Sequence, residues 1–435
     1  MTMNNDNLNQ ASNLSTNSSN GENVNVNVNN NENINMNDNT DDNGTDNIND
    51  YGTIESFEDL DIDRNIHVGI LGYGYENPSP IQQRGILPIL AGRDIIAQAQ
   101  SGTGKTATFS IGTLGIINPE ENTIQALILG HTRELALQIN TVIKEIGKYT
   151  NIRFNLSVRG VPPRENIDEL HGGEDGKKPH IVIGTPGRVI DMIRKKALVT
   201  KDIKLLVIDE ADEMLSEGFI DQIHDIFISL PQSSKTALFS ATMNENFFSI
   251  TKKFMNNPVK ILIKTEKLTL EGIKQFYIDV EKHDYKFDTL CDIFSVLTIN
   301  QSIIYCNSQR IVEMLNNKLL QNNFTVSYIH GNMTSAEREI TMSKFRNGST
   351  KVLITTDLLG RGIDIQQVSV VINYDIPAKI ESYIHRIGRS GRYGRKGLAI
   401  NFMTHYDKRK IENIQTYYNT MIDELPGNFN ELINS

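Results

Sequence analysis

The sequence predicts an α/β protein, with two parallel-sheet domains in tandem, joined by a short linker and preceded by a disordered tail rich in asparagine. Three observations predict this. Short apolar and β-branched runs at 125–129, 181–184 and 203–208 alternate with helical patterns, as parallel sheets require. The alternation lapses around 264–272 and resumes with strand-like runs at 302–306, 325–328, 351–355 and 368–373. The first 50 residues contain twenty Asn, eight acidic residues and no Lys or Arg, and such a stretch cannot bury enough apolar surface to offset its chain entropy. The expected divisions are a tail at 1–50, a first domain at 51–264, a linker at 265–272 and a second domain at 273–435.

Charge narrows the partners. The tail holds most of the net charge of −10, so residues 51–435 carry only −2. Bulk charge therefore cannot drive nucleic-acid binding, which needs a local stripe or specific donors. Cys291 and Cys306 lie in apolar segments without a CxxC partner and read as core residues of a reducing compartment. No apolar run reaches the ~18 residues of a membrane span, and the tail is no signal peptide. A soluble, intracellular protein is expected.

The first domain opens with Tyr75 and Gln82 around a Pro-punctuated turn. A Gln amide can pair with adenine N6 and N7 together, a pattern guanine does not offer, and Tyr75 can stack on the base. Strand-like residues 95–97 then lead into Ala99, Gln100, Ser101, Gly102, Thr103, Gly104, Lys105 and Thr106, ahead of a helical run. This fits the phosphate-cradling P-loop, with Ala99 where the strict pattern has Gly. Gly102 and Gly104 let backbone N–H groups approach a triphosphate, Lys105 reaches the outer phosphates, and the Thr106 hydroxyl completes a magnesium shell.

Further strand ends carry Thr132 with Arg133, and Thr185 with Gly187 and Arg188, each before a helix. A hydroxyl and an Arg at a helix start is one way a chain presents donors to phosphates; helix caps are the other use. The run at 203–208 ends in Asp209, Glu210 and Asp212. Carboxylates at the tip of a buried strand are costly unless they meet a cation. Asp209 is expected to hold the magnesium ion through water, and Glu210 to orient and deprotonate the attacking water. The strand-like run 237–242 ends in Ser240 and Thr242, placed to hydrogen-bond Asp212.

The second domain has no P-loop. It carries Thr356, Asp364 and, in the stretch HRIGRSGR, His385, Arg389 and Arg392. Guanidinium groups at fixed intervals suit the charge that develops on a transferring phosphoryl group.

In this order, Gln82, AQSGTGKT, TRELA, TPGR, DEAD, SAT and HRIGRSGR resemble a DEAD-box RNA helicase over nearly everything from about Ser56 onward. Stretches such as IQQRGILPIL and TTDLLGRGID are most similar to the members acting in translation initiation. The resemblance implies two RecA-like domains, ATP and magnesium as cofactors, and RNA-stimulated ATP hydrolysis that unwinds short duplexes. It makes Arg389 and Arg392 the arginine fingers and places Asp364 on the ribose. It assigns coupling to Asp212, Ser240, Thr242 and His385, and RNA contact to Thr132, Arg133, Thr185, Gly187, Arg188, Arg338 and Thr356. It further implies a cytoplasmic monomer that meets translation-initiation scaffold proteins. Departures cluster near the RNA side: His131 for Pro, Arg159 in a Gly pair, Asn332 for Asp, Ser335 for Gln and Gly360 for Ala. These leave a second reading open, an ATP-gated RNA clamp that scarcely unwinds.

Overall fold

The computed structural model describes residues 51–100, 102–216, 218–243, 245–262, 273–296, 301–357, 368–390 and 397–427. The expected tail and linker, and Ser101, Asp364 and Arg392, lie outside the described residues.

Seven strands form the first sheet: β1 (Ile95–Gln98), β2 (Ala126–Leu129), β3 (Phe154–Ser157), β4 (Ile181–Gly184), β5 (Leu205–Asp209), β6 (Lys235–Ser240) and β7 (Val259–Leu262). Their order is β3-β4-β2-β5-β6-β1-β7, with every pairing parallel. The second sheet contains β8 (Ile273–Glu281), β9 (Ser302–Tyr305), β10 (Val326–Ile329), β11 (Val352–Thr355), β12 (Val370–Asn373), β13 (Gly397–Thr404) and β14 (Asp423–Glu424), in the order β10-β11-β9-β12-β13-β8-β14.

Helices cover both faces, which is why the central strands read as unbroken apolar runs. Successive residues of β1 face opposite cores: Ile95 and Ala97 enter one, Ile96 the other. The second sheet repeats this with Ile303 and Tyr305 against Ile304 and Cys306. Because β6 lies between β1 and β5, Gln98 pairs with Ser240 and Asp209 with Phe239. The loop after β1, the acids after β5 and the hydroxyls after β6 therefore emerge side by side, at the carboxyl ends where such sheets bind ligands.

Several boundaries differ from expectation. Gln125 precedes β2 because its amide ties back to Asn118, accepting from that residue's N at 2.9 Å and donating to its O at 2.7 Å. Ile203 and Lys204 precede β5, and β6 ends at Ser240, before Ala241 and Thr242. β3, β7, β8, β13 and β14 add strands that the expectation lacked. Both cysteines are free thiols; Cys306 is buried, whereas Cys291 is partly exposed rather than in the core. No helix among the described residues is long and apolar enough to cross a membrane.

His180, ahead of β4, is fully buried, and its Nδ1 accepts from the Arg153 backbone N at 3.1 Å. Burial, helped by the Arg153 charge, pushes its pKa from 6.5 down to about 4. The unfolded chain thus binds the proton first, and the stability His180 contributes above pH 6.5 is lost as pH falls toward 4. At about 1.4 kcal/mol per pH unit, the loss relative to His180→Gln should reach about 3 kcal/mol. Urea midpoints of the two proteins at pH 7 and pH 4.5 measure it; parallel shifts would contradict the assignment.

Candidate active site

The loop after β1 is held from both sides by its own backbone. Lys105 opens the helix Lys105–Ile116, is only 6% exposed, and its Nζ donates to the Ala99 O at 2.6 Å. Thr103 Oγ1 donates to the Gln100 O, and Ser79 Oγ donates to the Thr103 O, both at 2.7 Å. Gly102 and Gly104 have φ of +81° and +100°, a region that favours glycine. A Cβ on Gly104 would also lie 2.7 Å from Gln82 Nε2.

Gln82 is therefore not the solvated surface residue that a Gln before a helix usually is. It sits in the first turn of the helix Pro80–Leu90, is 2% exposed, and its Oε1 accepts from the Ser79 backbone N at 2.7 Å. The Tyr75 ring stacks on Tyr73, with centroids 5.1 Å apart and planes 24° apart. Tyr73, which the sequence reading missed, lines a cavity of about 160 Å³ together with Tyr75, Gly102, Gly104, Lys105, Thr106, Asp209, Glu210 and Arg389.

Asp209 and Glu210 are each 3% exposed. Glu210 has a left-handed backbone, φ 50° and ψ 52°, a conformation that costs a non-glycine residue energy and recurs at functional turns. Burial, then the Glu210 charge, raises the Asp209 carboxyl from 3.8 to about 7, against the opposing pull of Lys105. A carboxylate so disfavoured is a place for a cation.

The second sheet completes the cavity. The helix Ile380–Ile387 brings His385, 1% exposed, to Asp212, with its Nε2 3.3 Å from Asp212 Oδ2 and its Nδ1 4.0 Å from Glu210 Oε2. Thr242 Oγ1 donates to the same Asp212 oxygen at 2.5 Å. Ser240 does not reach Asp212. Its hydroxyl donates to the Thr242 O at 2.7 Å and accepts from the Thr242 N at 3.1 Å, shaping the turn that aims Thr242. Arg389, 6% exposed, enters the cavity with its Nε donating to the His385 O at 3.3 Å.

The remaining expected residues sit at strand ends, but several have protein partners. Thr132 caps the helix Arg133–Ile146 by accepting from the Leu135 N at 3.2 Å. Thr185 precedes the helix Pro186–Arg194, with Gly187 exposed in its first turn. Arg188 donates to the Val161 O at 2.9 Å and to Asn166 Oδ1 at 2.5 Å. Arg338 pairs with Glu134 across the two halves at 2.8 Å, both side chains largely buried. Thr356 follows β11.

Comparison with known proteins gives the same picture. The DEAD/DEAH box helicase profile matches residues 79–250, and the helicase conserved C-terminal domain matches 285–394. The ATP-dependent RNA helicase eIF4A of Candida albicans is 54% identical over 379 residues, which is 87% of this chain and 94% of the relative. The eukaryotic initiation factor 4A of Caenorhabditis elegans is 52% identical over 380 residues, 87% and 93% of the two chains. The chain belongs to the DEAD-box helicase family. Among solved structures, this helicase is similar to S. cerevisiae Dbp5 bound to RNA and ADP BeF3, with a TM-score of 0.80 and 37% identity over 88% of this chain and 99% of that one. It is also similar to Mss116p bound to ssRNA and AMP-PNP, with a TM-score of 0.77 and 26% identity over 88% and 81%.

The raised Asp209 value gives a direct test. Its folded value lies above its unfolded one, so its favourable contribution is lost as pH rises through about 7. At pH 8, without nucleotide or divalent cation, Asp209→Asn should melt at a higher temperature than the wild type. Magnesium should raise the wild-type midpoint and leave that of the variant unchanged. A variant that melts lower would contradict the electrostatic account.

Proposed function

We propose that this helicase hydrolyses ATP in an RNA-stimulated cycle that locally opens short RNA duplexes in translation initiation. One observation carries the mechanism: Arg389 from the second half lines the same cavity as Lys105, Asp209 and Glu210 from the first. Lys105 holds the outer phosphates, moving its Nζ from the Ala99 carbonyl to do so. Thr106 and Asp209, oxygen donors lining one cavity, suit Mg2+, which when bound neutralises charge on the phosphates. Glu210 takes the proton of the attacking water, and Arg389, with Arg392, meets the charge that develops on the phosphoryl group.

Base choice rests on Tyr75 and Gln82. Gln82 Oε1 has a second lone pair beyond the one facing the Ser79 N, so the amide can still accept from adenine N6 while Nε2 donates to N7. RNA is gripped at the strand ends by Thr132, Arg133, Thr185, Gly187, Arg188 and Thr356, with Asp364 on the ribose of ATP. Arg338 acts through its pair with Glu134 as much as through RNA. The chain divides into working halves at 265–272, behind an Asn-rich tail. The relatives' names support an initiation role, and with that reading go a cytoplasmic location, scaffold-protein partners and a monomeric chain.

Three substitutions separate these roles. Lys105→Ala should abolish ATP turnover and weaken ATP binding. Glu210→Gln should retain ATP and accumulate on RNA. Arg389→Ala should bind ATP yet turn over about 10³-fold more slowly. Phosphate release and nucleotide titration with single-stranded RNA present measure all three, and undiminished hydrolysis by Glu210→Gln would remove its water-activating role.

A further inference from the structure

The second half contains a buried polar hub at Arg386. Its side chain is 0% exposed, and all five N–H donors of the guanidinium are engaged. Nε donates to Asp357 Oδ1 at 2.5 Å and Nη2 to Asp357 Oδ2 at 3.0 Å, a bidentate pair. Nη2 also donates to Asn307 Oδ1 at 2.8 Å. Nη1 donates to Asn373 Oδ1 at 3.2 Å and to the Asp375 O at 2.8 Å. The Tyr305 ring closes one face, 5.2 Å from the guanidinium carbon.

Two features give the hub a direction. Arg386 adjoins His385 on the helix Ile380–Ile387, and Arg389 follows in the turn just past its end, so a shift of the Arg386 guanidinium moves the group that meets Asp212 and Glu210 and the residue beyond it. Its charge partner is different in kind: the Asp357 side chain is 48% exposed and directly follows Thr356, proposed above to touch RNA. One end of the pair lies in the core and the other at the surface.

We propose that Asp357 and Arg386 are positioning residues that couple RNA engagement to arginine placement. RNA settling at Thr356 fixes the Asp357 carboxylate. The forked pair transmits that position to the helix carrying His385 and to Arg389 in the turn after it, which then seats in the cavity with Glu210. A guanidinium is required because its planar fork fixes orientation as well as charge; an ammonium supplies charge alone. The inference rests on the RNA-stimulated ATPase reading and adds to it a route through this chain.

The test uses the full chain with Asp357→Asn, Arg386→Lys and the double variant. Asp357→Asn keeps the shape and removes the charge at a half-exposed position, so it reports even if Arg386→Lys fails to fold. The readout is the ratio of turnover with saturating single-stranded RNA to turnover without it, beside the KM for ATP. The ratio should fall about tenfold in Asp357→Asn while the KM for ATP stays within about twofold. Where Arg386→Lys folds, the double variant should be no worse than the weaker single one, because both break one unit. An Asp357→Asn ratio within about twofold of wild type, or losses that add, overturns the inference while leaving the proposed function standing. A wild type that RNA does not stimulate overturns the functional reading itself, and the inference with it.

Discussion

Asp212 is the point on which the arrangement turns. Its Oδ2 receives Thr242 at 2.5 Å from its own half and faces His385 Nε2 at 3.3 Å from the other half. His385 is almost wholly buried, and in so dry a setting an unpaired member costs far more than the pair itself contributes. The halves therefore have a preferred mutual position, set by a few polar atoms. The nucleotide cavity is completed by Arg389 in that position, since this residue leaves the same helix one turn beyond His385.

Selectivity for the closed arrangement follows from where the charges lie. The first half alone holds Asp209 and Glu210, two adjacent buried acids with one nearby cation, Lys105. That cluster is electrostatically unsettled, as the raised Asp209 value shows. Arg389 already lines this cavity, yet the Asp209 carboxyl stays raised to about 7, so it is a cation accompanying the nucleotide that relieves the cluster. Ligand binding draws on that deficit, and a ligand held by both halves favours their joining by linkage. The Arg338–Glu134 pair is a second tie between the halves.

Much of this was legible in the sequence because the chemistry sits at strand ends. An apolar run followed by Gly, Lys and Thr, or by consecutive acids, announces both the strand and its function. Strands near the sheet margins were harder to read: β3 at an edge alternates half-buried and buried residues, and β8, next to the short edge strand β14, has few fully buried positions, so neither shows a continuous apolar run. Glu134 and Asp357 escaped for another reason. Each acts through a partner distant in sequence, as with Asp357 and Arg386, 29 residues apart, and no local pattern marks such a pair. Ser240 shows the reverse error, since proximity to Asp212 in the sequence pattern was real but its hydroxyl serves the turn instead.

The central claim is that ATP turnover requires a site assembled from both halves, and that RNA promotes the assembly. Steady-state phosphate release by the full chain and by residues 51–264 alone, each with and without single-stranded RNA, tests it most directly. The full chain should be strongly stimulated and the fragment should bind ATP weakly without responding to RNA. RNA-stimulated turnover by the fragment would contradict an active site built across the cleft.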